Sequence, residues 1–309
     1  MRTLVIVNPA AGTTRMHSSR QRRSTAGMGR HATARAACAR LGLDADVAVT
    51  ERPGHARELA QRARDARADL VLVWGGDGTI NEVASALAFS PTPLAIVPGG
   101  SGNGLARGLG IPLDPDAAFA VAMNGHERWI DAGDIDGRLF FNVAGVGFDA
   151  RVAQAFNRGA RRGLPLYIWT SLLEAIRYEP AKYRVTGCGG PSSAAPAAVL
   201  LDDAPALLVA VANGAQYGSG ARIAPAARFD DGRLNVVIIE PRSVLRALVE
   251  SHHLFDGTIE RMRGCTTRAV REVTLSSDQP MLAHVDGEPF RAGTTLRVLV
   301  REQALVVRC

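Results

Sequence analysis

Residues 70–83 read Leu70-Val71-Leu72-Val73-Trp74-Gly75-Gly76-Asp77-Gly78-Thr79-Ile80-Asn81-Glu82-Val83: an unbroken apolar run, a glycine turn holding one acid, then a helical pattern. A run without polar alternation is what a strand covered on both faces requires. Glycines let a backbone approach a polyphosphate closely, and the N–H groups opening the next helix, with its dipole, favour negative charge. Asp77 in that turn is placed to orient Mg2+ or a metal-bound water against phosphates. The spacing fits neither GxGxxG nor GxxxxGK[ST], which excludes the two commonest nucleotide motifs here. The plainer reading is a strand-to-helix turn.

On either side of this stretch, short apolar runs alternate with helical patterns. Strand-like segments at Leu4 to Val7, Ala45 to Val49 and Leu94 to Val97 flank helical ones at Ala32 to Leu41, Ala56 to Ala68 and Ile80 to Leu87. That alternation predicts a parallel sheet with flanking helices, with ligands at the strand ends. From about Trp129 the texture changes to short β-like runs, at 129–131, 139–143, 206–212, 235–239, 272–275, 281–285 and 296–300. These predict a second, mainly antiparallel β-sandwich-like domain. The expected domains are 1–129 and 130–309, the last strand returning to the first, with the active site in the cleft between them. Residues 164–178 read as a helix, Gly187 to Pro205 as a loop, and the polar, basic stretch Thr13 to Arg30 as a loop or a phosphate-approaching lid.

Composition narrows the classes. The chain has 309 residues, more than one core usually holds, and its net charge of +6 permits anionic partners without choosing among them. Lys182 is the sole lysine, so arginine bias explains much of the basicity and no nucleic-acid role is expected. Four scattered cysteines without a CxxC pair suggest neither a zinc site nor a disulfide framework. The first residues read as a core strand rather than a signal peptide, and no apolar stretch reaches membrane-spanning length. A cytoplasmic protein is expected. His252-His253 are read as surface or structural residues, since neighbours on a helix point in different directions and no carboxylate is spaced to join them. Arg158, Arg161 and Arg162, followed by Leu164-Pro165-Leu166-Tyr167-Ile168-Trp169, suit either a membrane-facing helix or an ordinary packed one with a basic end.

A second glycine-rich loop follows the strand at 94–97: Pro98-Gly99-Gly100-Ser101-Gly102-Asn103-Gly104-Leu105-Ala106-Arg107. Toward the other end, Asp286-Gly287-Glu288 sets two carboxylates two residues apart. On an extended chain these would share one side, which suits proton abstraction, although Asp-Gly is also a strong hairpin-turn signal. Asp230-Asp231-Gly232 reads most simply as a turn.

Taken together, these motifs resemble the diacylglycerol kinase catalytic family. Gly75-Gly76-Asp77-Gly78-Thr79 resembles the nucleotide loop it shares with sphingosine and NAD kinases, and Asn8-Pro9-Ala10-Ala11-Gly12 and Thr50 with Gly54-His55-Ala56 resemble its other nucleotide turns. Phe141-Asn142 through Gly147-Phe148-Asp149-Ala150, then Asn213-Gly214, Asp230-Asp231-Gly232 and Asp286-Gly287-Glu288, follow in the family's order and set NAD kinases aside. The resemblance implies an ATP-dependent, Mg2+-requiring lipid kinase acting on diacylglycerol. The Ser101-Gly102-Asn103 form and Gly104, where the family usually has aspartate, keep sphingoid bases and ceramide open as acceptors. A sensor that kept the fold without catalysis is the rival from another class. It implies ATP contacts at Asn8, Pro9, Gly12, Thr50, Gly75, Gly76, Asp77, Gly78, Thr79, Asn81, Gly100, Ser101 and Asn103. Glu288 is implied as the general base, with Asp286 and Asp77 beside it in the catalytic set. Mg2+ is implied at Asp231 with the carbonyls of Arg228 and Arg233, Asp131 linking Asp231 towards Asp77. The expected location is peripheral, at the inner membrane surface, and a homodimer is allowed.

Overall fold

The computed structural model describes residues 2–12, 20–158, 178–189 and 197–309. Among these, two compact units separate: residues up to 130 together with 303–309, and residues 131–302.

In the first unit β1 (Thr3–Val7), α1 (Arg20–Arg40), β2 (Ala45–Val49), α2 (His55–Asp65), β3 (Leu70–Gly75), α3 (Asp77–Leu87) and β4 (Leu94–Pro98) alternate. The strands pair in parallel in the order β2-β1-β3-β4, with Val5 opposite both Val47 and Leu72, and Leu72 opposite Ala95. Every residue of β3 and β4 is buried, as central parallel strands covered on both faces demand. In α2, Ala56, Ala60 and Ala63 are buried at helical spacing, and their small side chains let the helix lie close to the sheet. Two shorter helices, α4 (Gly104–Gly108) and α5 (Pro115–Asn124), follow, α5 opened by Pro115 and by the Asp114 side chain accepting from the Ala117 N–H.

The second unit begins within β5 (Glu127–Ile135) and continues through β6 (Arg138–Phe140), β7 (Val143–Gly147), α6 (Phe148–Arg158), β8 (Lys182–Cys188), β9 (Ala198–Pro205), β10 (Leu208–Ala212) and β11 (Leu234–Ile239). Then come α7 (Val244–Glu250), α8 (His252–Asp256), β12 (Cys265–Val270), β13 (Glu272–Ser276), β14 (Leu282–Val285), β15 (Glu288–Arg291) and β16 (Thr295–Arg308). One antiparallel sheet runs β12-β11-β10-β7-β14-β15; facing it lie β9, β8, β13 and the first half of β16. Their inner faces share a core that includes Val146, Val185, Val209, Val236, Val273 and Leu296. After Gln303, at φ +47°, β16 belongs to the first unit, where Val307 and Arg308 pair in parallel with Leu94 and Ala95.

Several expectations need correction. Residues 20–30, read as part of a loop, are helical; 13–19 lie outside the described residues. Most of Gly187 to Pro205 is also not loop: Ala198–Pro205 forms β9, paired with β8 through Thr186 and Val199. Its side chains are largely exposed, so the strand carries no apolar alternation and its ladder bonds alone define it. The run at 139–143 splits into β6 and β7. The helix read at 164–178 and the basic-aromatic stretch with Arg161 and Arg162 fall almost wholly outside the described residues.

Candidate active site

Parallel strands end on the same edge of a sheet, so the first-unit residues singled out from sequence gather there. Asn8 and Pro9 follow β1, Thr50 follows β2, Gly75, Gly76, Asp77, Gly78, Thr79 and Asn81 occupy the β3–α3 turn, and Gly100, Ser101 and Asn103 lie beyond β4. Asn8 donates from Nδ2 to Thr79 Oγ1 at 2.7 Å, and its own Oδ1 accepts the Ala10 N–H at 2.8 Å. The two glycine loops pack on each other: a Cβ on Gly100 would stand 2.8 Å from the Gly76 Cα, and one on Gly12 only 2.5 Å from the Gly99 carbonyl oxygen. These glycines are therefore required by loop-on-loop packing as well as by any approach of phosphate.

Asp77 has a role that sequence could not reveal. Its carboxylate accepts the N–H groups of Asn103 at 2.9 Å and Gly104 at 2.7 Å, across 26 and 27 residues, and so caps α4. Asn103, at φ +52°, closes its own loop by accepting from the Gly100 N–H and donating to the Gly100 carbonyl. Two of the N–H groups at the start of α4 are thus answered by Asp77 rather than left for a ligand. Arg30 is a cation that sequence reading missed. It donates to the Asn8 carbonyl at 3.0 Å and stands 5.8 Å from the Trp74 ring centroid, and burial pulls its guanidinium below the ordinary value. Its position in an arginine-rich stretch gave no signal.

In the second unit Asp286-Gly287 forms the two-residue turn between β14 and β15, with φ +47° and +84°. Asp286 is therefore not on an extended chain with Glu288, and the argument that spacing sets both carboxylates on one side fails. The Asp286 carboxylate instead accepts three backbone N–H groups, of Phe141, Asn142 and Val143, each at 3.0 Å. It is the anchor of the hairpin, and it also splits β6 from β7. Glu288 opens β15 exposed to solvent. Behind the hairpin lies a buried polar set. His284 Nε2 stands 3.1 Å from Asp149 Oδ2, Tyr217 donates to the same oxygen at 3.0 Å, and the Gly287 N–H donates to His284 Nδ1 at 3.3 Å. An acceptor role for Nδ1 makes Nε2 the protonated nitrogen.

Asp131 accepts the Gly232 N–H at 2.8 Å and donates its own N–H to the Phe229 carbonyl at 2.6 Å, fixing the 228–233 turn. Asp231, exposed, accepts the Arg233 N–H at 3.1 Å, and Gly232 takes φ +66°. A carboxylate with the carbonyls of Arg228 and Arg233 on one tight turn is an all-oxygen donor set, which suits Mg2+.

His252 and His253 do not diverge: their rings lie 4.0 Å apart, and their ligating atoms and that of Asp256 all fall within 4.8 Å of one another. The carboxylate absent from the sequence argument is that of Asp256, the last residue of α8. The four cysteines are free thiols, with burial raising those of Cys38, Cys309 and Cys265, the last to about 11.

A family model described as the diacylglycerol kinase catalytic domain matches residues 2–135, and one described as the YegS C-terminal NAD kinase beta sandwich-like domain matches 142–309. The chain is 33% identical over 274 residues to a probable lipid kinase YegS-like of Pseudomonas syringae pv. tomato, covering 86% of this chain and 84% of that one. It is 31% identical over 249 residues to one of the same description from Chromohalobacter salexigens, covering 79% and 77%. A crystal structure of a putative diacylglycerol kinase from Bacillus anthracis superposes with a TM-score of 0.76 at 21% identity over 99% of this chain and 94% of that one, which establishes the shared fold.

Proposed function

Since the chain belongs to the YegS-like lipid kinases built on the diacylglycerol kinase catalytic domain, and is a lipid kinase, we propose that it transfers the γ-phosphoryl group of ATP to the hydroxyl of diacylglycerol, giving phosphatidic acid. Residues 1–129 serve as the nucleotide domain and 130–309 as the lipid domain in this reading. The triphosphate rests on the first turn of α3 and the glycine loops, with the Asn8 and Ser101 side chains and the Arg30 cation beside it. Mg2+, held by Asp231 and the carbonyls of Arg228 and Arg233, supplies fixed divalent charge that the all-oxygen chemistry of that turn accommodates.

Glu288 accepts the proton of the lipid hydroxyl as that oxygen attacks phosphorus in line, the bond to the ADP oxygen breaking as the new one forms. Asp286 holds the hairpin and Asp77 holds the second glycine loop. The observation that carries the reading is the hairpin itself: three backbone bonds to Asp286 fix the turn, and Glu288 follows it exposed. A proton acceptor on a rigid element is what this chemistry needs. Among the described residues no helix is long and apolar enough to cross a membrane, and the proposed location is peripheral, at the inner membrane surface.

The test is transfer of label from γ-labelled ATP with Mg2+ into diacylglycerol, a sphingoid base and ceramide, for the wild type and Glu288→Gln. Labelled phosphatidic acid that falls by at least about 10²-fold in the variant, with an unchanged circular dichroism spectrum, is expected. Label in the sphingoid base or ceramide instead would replace the acceptor, and undiminished transfer by Glu288→Gln would remove the base.

A further inference from the structure

A lipid kinase must collect its acceptor from a bilayer, so a surface that seats on lipid is part of what it needs. Of nine large apolar side chains exposed among the described residues, four fall within eleven positions of the second unit: Leu245 at 72%, Leu248 at 56%, Val249 at 65% and Phe255 at 48%. Leu245, Leu248 and Val249 stand at i, i+3 and i+4, the spacing that puts side chains on one face of a helix. That face of α7 turns to solvent, the reverse of an ordinary surface helix, and neither α7 nor α8 buries a single residue. On its other side, Val244 and Ala247 line a cavity of about 390 Å³ walled by Phe148, Tyr178 and Leu207. Packing against the rest of the unit accounts for Val244 and Ala247, which are half-buried, but not for the three exposed apolar residues.

Charge selects the occupant. The segment 242–263 carries Arg242, Arg246, Arg261, Arg263 and two histidines against three acids. Glu250 is held by both Arg242 at 2.6 Å and Arg246 at 3.0 Å, and Asp256 folds back onto the Thr258 N–H and hydroxyl. The pairs at Glu250 also engage Arg242 and Arg246, and the exposed Arg261 and Arg263 outweigh the exposed Glu260, so the segment keeps a net positive charge. An exposed apolar stripe in a segment of net positive charge suits the surface of an anionic membrane, where apolar burial and headgroup attraction act together.

We propose that the α7–α8 face is the membrane-docking surface, with Leu245, Leu248 and Val249 entering the headgroup–acyl boundary and Arg261 and Arg263 meeting anionic headgroups. It goes beyond the acceptor assignment, and vesicle binding needs no turnover, so the outcome is independent of which lipid is phosphorylated.

The experiment is co-sedimentation of the full chain with phosphatidylcholine vesicles, with and without phosphatidylglycerol, for the wild type and a Leu245→Ser/Leu248→Ser/Val249→Ser variant. The expected result is stronger binding to the anionic vesicles and a loss of about tenfold or more in the variant, with an unchanged melting temperature because none of the three is buried. In parallel, an environment-sensitive fluorophore on Leu248→Cys should shift to the blue when anionic vesicles are added. Equal binding of wild type and variant, or a fluorophore blind to vesicles, would overturn the proposal. So would a wild-type dimer that the variant converts to monomer, which would make a second copy of the chain the occupant.

Discussion

Asp286 and Glu288 are two residues apart, yet their surroundings separate them completely. Three N–H groups converge on the Asp286 carboxylate, and removing it leaves those donors without their acceptor. Asp286→Ala should lower unfolding free energy by about 3 kcal/mol in urea titrations, whereas Glu288→Gln, exposed on β15, should stay within about 0.5 kcal/mol of the wild type. Equal stabilities for the two variants would contradict the anchoring role. This distinction was closed to sequence, because the donors lie 143 to 145 residues from Asp286. Asp77 has the same history: the glycine turn around it was legible, but its bonds to the loop at Asn103 and Gly104 were not. A carboxylate in a motif looks alike whether it faces a metal, a proton or a neighbouring loop.

At the scale of elements, the parallel half was readable where strands β1, β3 and β4 are apolar runs and α2 and α3 keep a helical period, whereas the polar, arginine-rich first half of α1 read as a loop. The antiparallel half was less so: β9 is largely exposed and β12 alternates weakly, so ladder pairing rather than burial defines them. The outward stripe of α7 passed unnoticed for a related reason, since sequence periodicity shows that a helix has an apolar face but not which way it points. Strand β8 carries a pH dependence. Burial raises the phenol of Tyr183 above its ordinary value, and likewise that of Tyr178. A raised folded-state value means the unfolded chain ionises first, so the contribution to stability is complete below about pH 10 and falls away as pH climbs past it. Tyr183→Phe should therefore lose less stability than the wild type when unfolding midpoints at about pH 9 and about pH 10.5 are compared. A parallel loss in both proteins would refute this.

For the whole molecule, the decisive element is β16, whose residues are divided between the two units. Leu305, Val306 and Val307 are buried, the Phe89 N–H donates to the Ala304 carbonyl, and His126 and Cys309 exchange backbone bonds, all within the first unit. A fragment of residues 1–130 should lack a cooperative thermal transition by calorimetry, and a peptide spanning 300–309, added in excess, should restore one. A fragment that melts cooperatively alone would show that the returning strand is dispensable.

The same strand imposes an order of events on synthesis. Residues 131–302 intervene between the bulk of the first unit and the strand that completes it. At translation rates of roughly 5–20 residues per second, the nascent first unit waits about 10–35 s for its last strand. Through that interval the edge of β4 that will receive Val307 and Arg308 has no strand beside it, a stretch fit for a chaperone's grip or for mispairing with a neighbouring chain. The sheet of the first unit is finished only when residues 303–309 have joined it.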